Sequence, residues 1–261
     1  MNEQKQMNIF FEIFDASLPR LGPGDDASTR KALRALLSAI PQCEDSPRST
    51  KPRILDLGCG NGAQTIQLAK LTDGTVLAVD NHQPYLDELR RRAEAEGISE
   101  GIQLHLGDMS NLELEEGSFD IIWSEGALYI MGFGKGLTTC HPLLAPGGLF
   151  AVTELSWLEP DPVDEYQKFF ANEYPAMADI ATNLATIKTS KYEILGHFTL
   201  PESSWWEPYY HSVEDRLQTI REKYVADSKK LEVVEFVQME IDLYRKYSSC
   251  YGYVFYLMQK I

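Results

Sequence analysis

From residue 52 the chain alternates short apolar runs with helical stretches. Arg53-Ile54-Leu55-Asp56-Leu57 is one such run, and Val76-Leu77-Ala78-Val79 the next. Ile102 to Leu106, Phe119 to Trp123 and Leu149 to Thr153 follow. Helical periodicity fills 62–71, 84–96 and 134–143 between them. Asn81 suits an N-cap for the second of these, and Pro84 a first turn. Strand alternating with helix predicts a doubly wound α/β fold, with a mostly parallel sheet covered by helices on both faces.

The flanks read differently. Met7, Phe10, Phe11 and Phe14 fall on one helical face, and a turn-rich connector runs from Pro19 to Asp26. A second helix is expected from Ser28 or Thr29, carrying Leu33, Leu36, Leu37 and Ile40 up to Pro41. Residues 156–211 are aromatic and broken by prolines, and 212–247 return to helical spacing with a break at Ala226-Asp227-Ser228. Cys250 to Met258 reads as a final strand. The expected organisation is an N-terminal helical lid (1–50) and a Rossmann-like core (51–155). A substrate-side insertion with a sixth strand (156–211) and C-terminal helices with the last strand (212–261) complete it.

Charge narrows the partner. With 24 Lys and Arg against 39 Asp and Glu, the net charge of −15 repels phosphodiesters and anionic headgroups, so neither nucleic acid nor a membrane is expected as partner. No apolar run approaches the roughly 18–20 residues a bilayer span needs. The N-terminus lacks the features of a signal peptide, so the expected location is cytoplasmic. Cys43, Cys59, Cys140 and Cys250 form no CxxC pair, and His82, His105, His141 and His197 show no metal-ligand spacing. No metal is expected.

The chemistry concentrates where the first strand ends. Gly58-Cys59-Gly60-Asn61-Gly62 lets the backbone turn tightly and approach a ligand at the free N–H groups of a helix start. Taken alone, the turn is ambiguous. Gly58, Gly60 and Ala63 also satisfy a dinucleotide fingerprint, and Asp80 lies where an acid would meet ribose hydroxyls in either cofactor. Such turns also occur with no ligand.

Four places together resolve the ambiguity: Asp56 to Gly62 (DLGCGNG), Asp80 closing the second strand (VLAVD), Gly107-Asp108-Met109 after the third, and Leu144-Ala145-Pro146-Gly147-Gly148 before the fifth. In this order they resemble the class I S-adenosylmethionine-dependent methyltransferases, of the small-molecule type. The resemblance implies a seven-stranded sheet whose last strand is antiparallel. It implies that Asp56 sits near the ammonium of the cofactor's methionine moiety, that Gly58, Gly60 and Gly62 pass under it, and that Asp80 accepts from both ribose hydroxyls. Asp108 would accept from the adenine amino group, Met109 would pack on the ring, and Asn81 and Ser124 complete the set. Lid helices cover the cofactor in small-molecule members, so Arg20 is a candidate partner for its carboxylate.

The acceptor side is less determined. Trp123-Ser124-Glu125-Gly126-Ala127 ends the fourth strand, which faces the methyl group in this fold and makes Glu125 a candidate substrate-contacting acid. The family's nucleic-acid and protein N-methyltransferases often carry N/D-P-P-Y/F here, and this chain does not. Trp157, Tyr166 and Phe170, with the cluster Trp205 to His211, suit a small, partly apolar or cationic acceptor. A core under a helical cap is the other use for the same residues. Tyr210 and His211 are candidate bases or orienters. Methyl transfer to the N, O or C of a small molecule is the leading reading. A nicotinamide-dependent oxidoreductase and a non-catalytic S-adenosylmethionine-binding module are the alternatives.

Overall fold

A computed structural model describes residues 9–38 and 51–261. The strands are β1 (Arg53–Leu57), β2 (Thr75–Asp80), β3 (Ile102–Leu106), β4 (Phe119–Glu125), β5 (Leu144–Trp157), β6 (Ala178–Asp179), β7 (Tyr192–Thr199) and β8 (Tyr251–Lys260). Seven follow one another in the order β3-β2-β1-β4-β5-β8-β7, and the two-residue β6 pairs with β5 off this path. The pairings among β1 to β5 are parallel, while β8 runs antiparallel to both β5 and β7. Parallel strands covered on both faces need apolar side chains on both, which is why the β1 and β5 sequences lack alternation. Four of the five β1 residues are buried.

The helices are α1 (Asp26–Ser38), α2 (Ala63–Thr72), α3 (Gln83–Ala95), α4 (Phe133–Cys140), α5 (Asp164–Glu173), α6 (Ile180–Thr189), α7 (His211–Lys223) and α8 (Ser228–Tyr247). Leu33 and Leu36 of α1 pack under one face of the sheet with Ile54, Val76 and Ala151. Leu137 of α4 and Ile187 of α6 pack under the other with Leu55, Ile122 and Val152. A third core forms the cap. Ile9 and Ile13 join Tyr166, Trp205, Tyr210, Val213, Ile241 and Tyr244 there.

Several boundaries moved. The second N-terminal helix begins at Asp26, because Asp25 accepts from the Ser28 N–H (2.7 Å) and hydroxyl (3.0 Å). Ile40, Pro41, Cys43 and Met7 lie outside the described residues. Residues 9–13 bury Ile9 and Ile13, and the next buried aromatic is Phe14, whereas Phe10 remains 44% exposed. Asn81 does not cap α3. That position falls to His82, whose N–H is taken by Asp80 Oδ1 (2.9 Å).

Strand order reverses between β2-β1 and β4, and a ligand is accommodated beyond the carboxyl ends of the strands at such a point. The cap closes over that crevice. The helical run into α7 passes through a π turn at Trp206–Tyr210. Pro208 lies inside it, and a proline cannot donate the usual helical hydrogen bond.

Candidate active site

A cavity of about 350 Å³ opens at the reversal point, between the glycine turn and the cap. Gly58, Gly60, Asp80, Asn81, Asp108 and Met109 line its core side. The turn after β1 takes left-handed backbone at Gly58 (φ 68°), and a Cβ there would meet Ala127 Cβ at 2.3 Å. Asp80 braces the turn: its Oδ2 accepts from the Gly60 N–H at 2.9 Å while Oδ1 holds His82. Burial raises the Asp80 carboxyl above the ordinary aspartate range, against the pull of these backbone donors. Asp108 is exposed at the cavity edge, and its Oδ1 also caps the turn at the Ser110 N–H (2.8 Å).

Three residues of the expected cofactor set stand behind this surface. Asp56 is wholly buried and does not line the cavity. Its oxygens accept from Thr65 Oγ1 (2.5 Å) and Gln64 Nε2 (3.3 Å), so it ties β1 to α2 from beneath. Desolvation pushes its carboxyl up to about 7, and the Glu125 and Asp80 charges add to the rise. Gly62 faces α3 instead of the cavity, and a Cβ there would stand 2.1 Å from Leu89 Cδ1. The Ser124 hydroxyl donates to the Leu57 carbonyl at 3.0 Å, joining the ends of β4 and β1. Small, buried and close to the motif, these residues shape the turn without reaching its surface.

The N-terminal segment lies across the cavity. Asn61 Nδ2 donates to the carbonyls of Leu18 (2.6 Å) and Ala16 (3.1 Å), and Tyr85 Oη to that of Phe14 (2.6 Å). Phe11 stacks on His82 at 3.6 Å. Arg20 is almost fully buried and bridges Glu125 Oε2 and Asp26 Oδ1, each at 3.1 Å. Its guanidinium is thus committed to carboxylates of the protein. Glu125 lines the cavity, and its Oε1 also accepts from Thr29 Oγ1 (2.7 Å) and Trp123 Nε1 (2.9 Å). With both oxygens engaged, Glu125 serves as the latch of this segment.

The cap side of the cavity takes only some of the expected residues. Trp205 and Tyr209 line it, while Trp206, Tyr210 and His211 do not. The π turn sets which residues face inward. His211 is exposed at the start of α7, outside the cavity, with Trp206 beside it (centroids 5.7 Å apart). Tyr210 stands one layer back and donates to Glu240 Oε1 at 3.0 Å. Phe170 lines the cavity, but Tyr166 is core, donating to the Leu243 carbonyl at 2.5 Å.

Glu240 of α8, Tyr129, and Tyr251 and Tyr253 of β8 also line it, and the sequence reading missed them. A signal for Glu240 existed. It interrupts the stripe Val233, Val237, Tyr244 at helical spacing, where an acid has no reason to be in an ordinary core. Burial raises its carboxyl above the ordinary glutamate range, and the Glu173 charge adds to that. Glu154 is buried, and that burial pushes its carboxyl up to about 7. Among the described residues no group of three or more His, Cys, Asp or Glu could hold a metal ion. No helix among them is long and apolar enough to cross a membrane.

Comparison with known proteins agrees with this geometry. Residues 54–148 match the family model described as "Methyltransferase domain". The chain is 25% identical over 169 residues to a sterol 24-C-methyltransferase of Aspergillus fumigatus, which covers 61% of the chain and 44% of that relative. The chain thus spans about half the length of the curated relatives it matches. A solved S-adenosylmethionine-dependent methyltransferase from Thiobacillus denitrificans, in complex with S-adenosylhomocysteine, shares the fold. Its TM-score is 0.80 at 20% identity, over 96% of this chain and 98% of that one. Another from Geobacter sulfurreducens, with the same ligand, gives 0.76 at 18% identity, over 98% of each chain. The match to the methyltransferase-domain model covers residues 54–148, and the chain shares the Rossmann-like fold of these solved S-adenosylmethionine-dependent enzymes.

Proposed function

We propose that the chain is an S-adenosylmethionine-dependent methyltransferase acting on a small-molecule acceptor at N, O or C. The observation that carries this is one continuous cavity. It runs from the glycine turn of the matched domain to an aromatic chamber under the cap. The lining fits the cofactor. Gly58 and Gly60 keep Cβ atoms out of its path, Asp80 stands where ribose hydroxyls would donate, and Asn81, Asp108 and Met109 would surround the base.

The bound cofactor would supply an electrophilic methyl group on a sulfonium with a good leaving group. The protein's contribution is then chiefly alignment. Arg20, Glu125 and Thr29 would hold the N-terminal segment closed, keeping water out and fixing the acceptor's approach. Aromatic walls from Tyr209, Tyr253 and Trp205 favour an acceptor with an apolar body. The acidic net charge opposes nucleic acid, and the cytoplasm is the proposed location. To test this, the protein is incubated with methyl-labelled S-adenosylmethionine and a metabolite extract. Label is expected in a small organic product. Cofactor binding with no label transferred would favour a sensing module.

A further inference from the structure

We infer that the cap chamber is built for a cationic amine, with Glu240 as the residue that meets its charge. This rests on the methyl-transfer reading and names the acceptor's class. The charges lining the cavity are markedly one-sided. Arg20 is the one cation among the described lining residues, and Glu125 and Asp26 already hold it. Asp80, Asp108 and Glu125 belong to the turn and the latch, which leaves Glu240 as the acid of the cap side. It has no cationic partner among the described residues. Its recorded hydrogen bond is the one from Tyr210 at 3.0 Å.

Glu240 is half-buried. A partly desolvated carboxylate without a countercharge is costly, and a bound cation would offset that cost. The chamber's rings supply the rest. Tyr209, Tyr251, Tyr253 and Trp205 line the same cavity as Glu240, and ring faces attract an ammonium. An anionic acceptor would meet four carboxylates and no free cation there. Tyr210 is a positioning residue in this arrangement, aiming the carboxylate by its hydrogen bond.

The transfer balances with this chain's residues. A protonated amine gives its proton to the Glu240 carboxylate, freeing the nitrogen lone pair. The pair attacks the methyl carbon, a C–N bond forms, and the S–C bond breaks with its electrons left on sulfur. The products are the methylated ammonium, S-adenosylhomocysteine and protonated Glu240, which returns its proton to solvent.

The probes are meta-hydroxyphenyl-trimethylammonium and its neutral isostere meta-tert-butylphenol. Each is titrated calorimetrically into the full chain already saturated with S-adenosylhomocysteine. The ammonium is expected to bind about tenfold tighter than the isostere, the scale of a desolvated cation–π and carboxylate contact. Glu240→Gln should reduce that preference to the small part the rings supply, while retaining the fold by circular dichroism and the affinity for S-adenosylhomocysteine. Tyr210→Phe, which keeps the carboxylate, should retain most of the preference. Equal or no binding of the two probes, or a preference undiminished in Glu240→Gln, would overturn the inference and leave the methyl-transfer reading intact. Absent binding of S-adenosylhomocysteine in the first titration would remove that reading, and this inference with it.

Discussion

Glu154 is 2% exposed, and its two oxygens fare differently. Oε1 accepts from the Tyr174 hydroxyl, whereas Oε2 is buried with no hydrogen-bond partner among the described residues. Burial is the larger effect, so the carboxyl titrates at about 7 in the fold against 4.5 for an ordinary glutamate. Below both values the folded and unfolded chains each hold the proton, and the group contributes nothing to pH dependence. Between them the unfolded chain has released its proton and the folded chain retains it, so stability falls as pH rises. Above about 7 the loss is complete. At 1.36 kcal/mol per pH unit, it amounts to about 3 kcal/mol. Glu154→Gln has no proton to release. Its stability relative to wild type should therefore climb by about 3 kcal/mol between about pH 4.5 and pH 7, then stay level. Urea unfolding of both proteins at several pH values measures the difference. Asp56 titrates in the same range and is common to both, so it cancels. A difference that does not change with pH would refute the reasoning.

Further outcomes are expected at the glycine turn and the latch. Gly62→Ala places a methyl group 2.1 Å from Leu89 Cδ1 on backbone at φ 83° and should cost about 3 kcal/mol in urea unfolding. A loss below about 1 kcal/mol would mean α2 and α3 adjust freely. Asp80→Ala should weaken S-adenosylhomocysteine binding by about 1.5–3 kcal/mol in calorimetry; unchanged affinity would remove Asp80 from the cofactor's surroundings. Glu125→Gln breaks a buried ion pair with Arg20 and should lower stability by about 3 kcal/mol as well as turnover. Normal turnover with labelled S-adenosylmethionine would take the latch out of the reaction.

How far the sequence could be read follows from the range of the interactions involved. β1 to β5 and β8 were legible because each is an apolar run, and for β1 to β3 glycine or polar turns close the end. Those signals are local. The glycine turn was legible for the same reason, but which of its residues reach the cavity was not. Asp56 and Gly62 look like ligand residues by position, yet Thr65 and Leu89 claim them in three dimensions. Pro19 to Gly24 reads as a hinge in the sequence, and Arg20 to Pro23 line the cavity, but nothing local shows that Arg20 pairs with Glu125, 105 residues away. Of the cluster Trp205 to His211, only Trp205 and Tyr209 line the cavity, while Trp206, Tyr210 and His211 lie around the π turn and do not. Glu240 and Tyr253 come from α8 and β8, far from any motif. Only the assembled fold brings them to the chamber.

We propose that the glycine turn and Asp80 form a site for the methyl donor. Calorimetric titration of the full chain with S-adenosylhomocysteine and, separately, with NAD tests it most directly. One S-adenosylhomocysteine site per chain and far weaker binding of NAD are expected. Tighter binding of NAD, or no binding of S-adenosylhomocysteine, would contradict it.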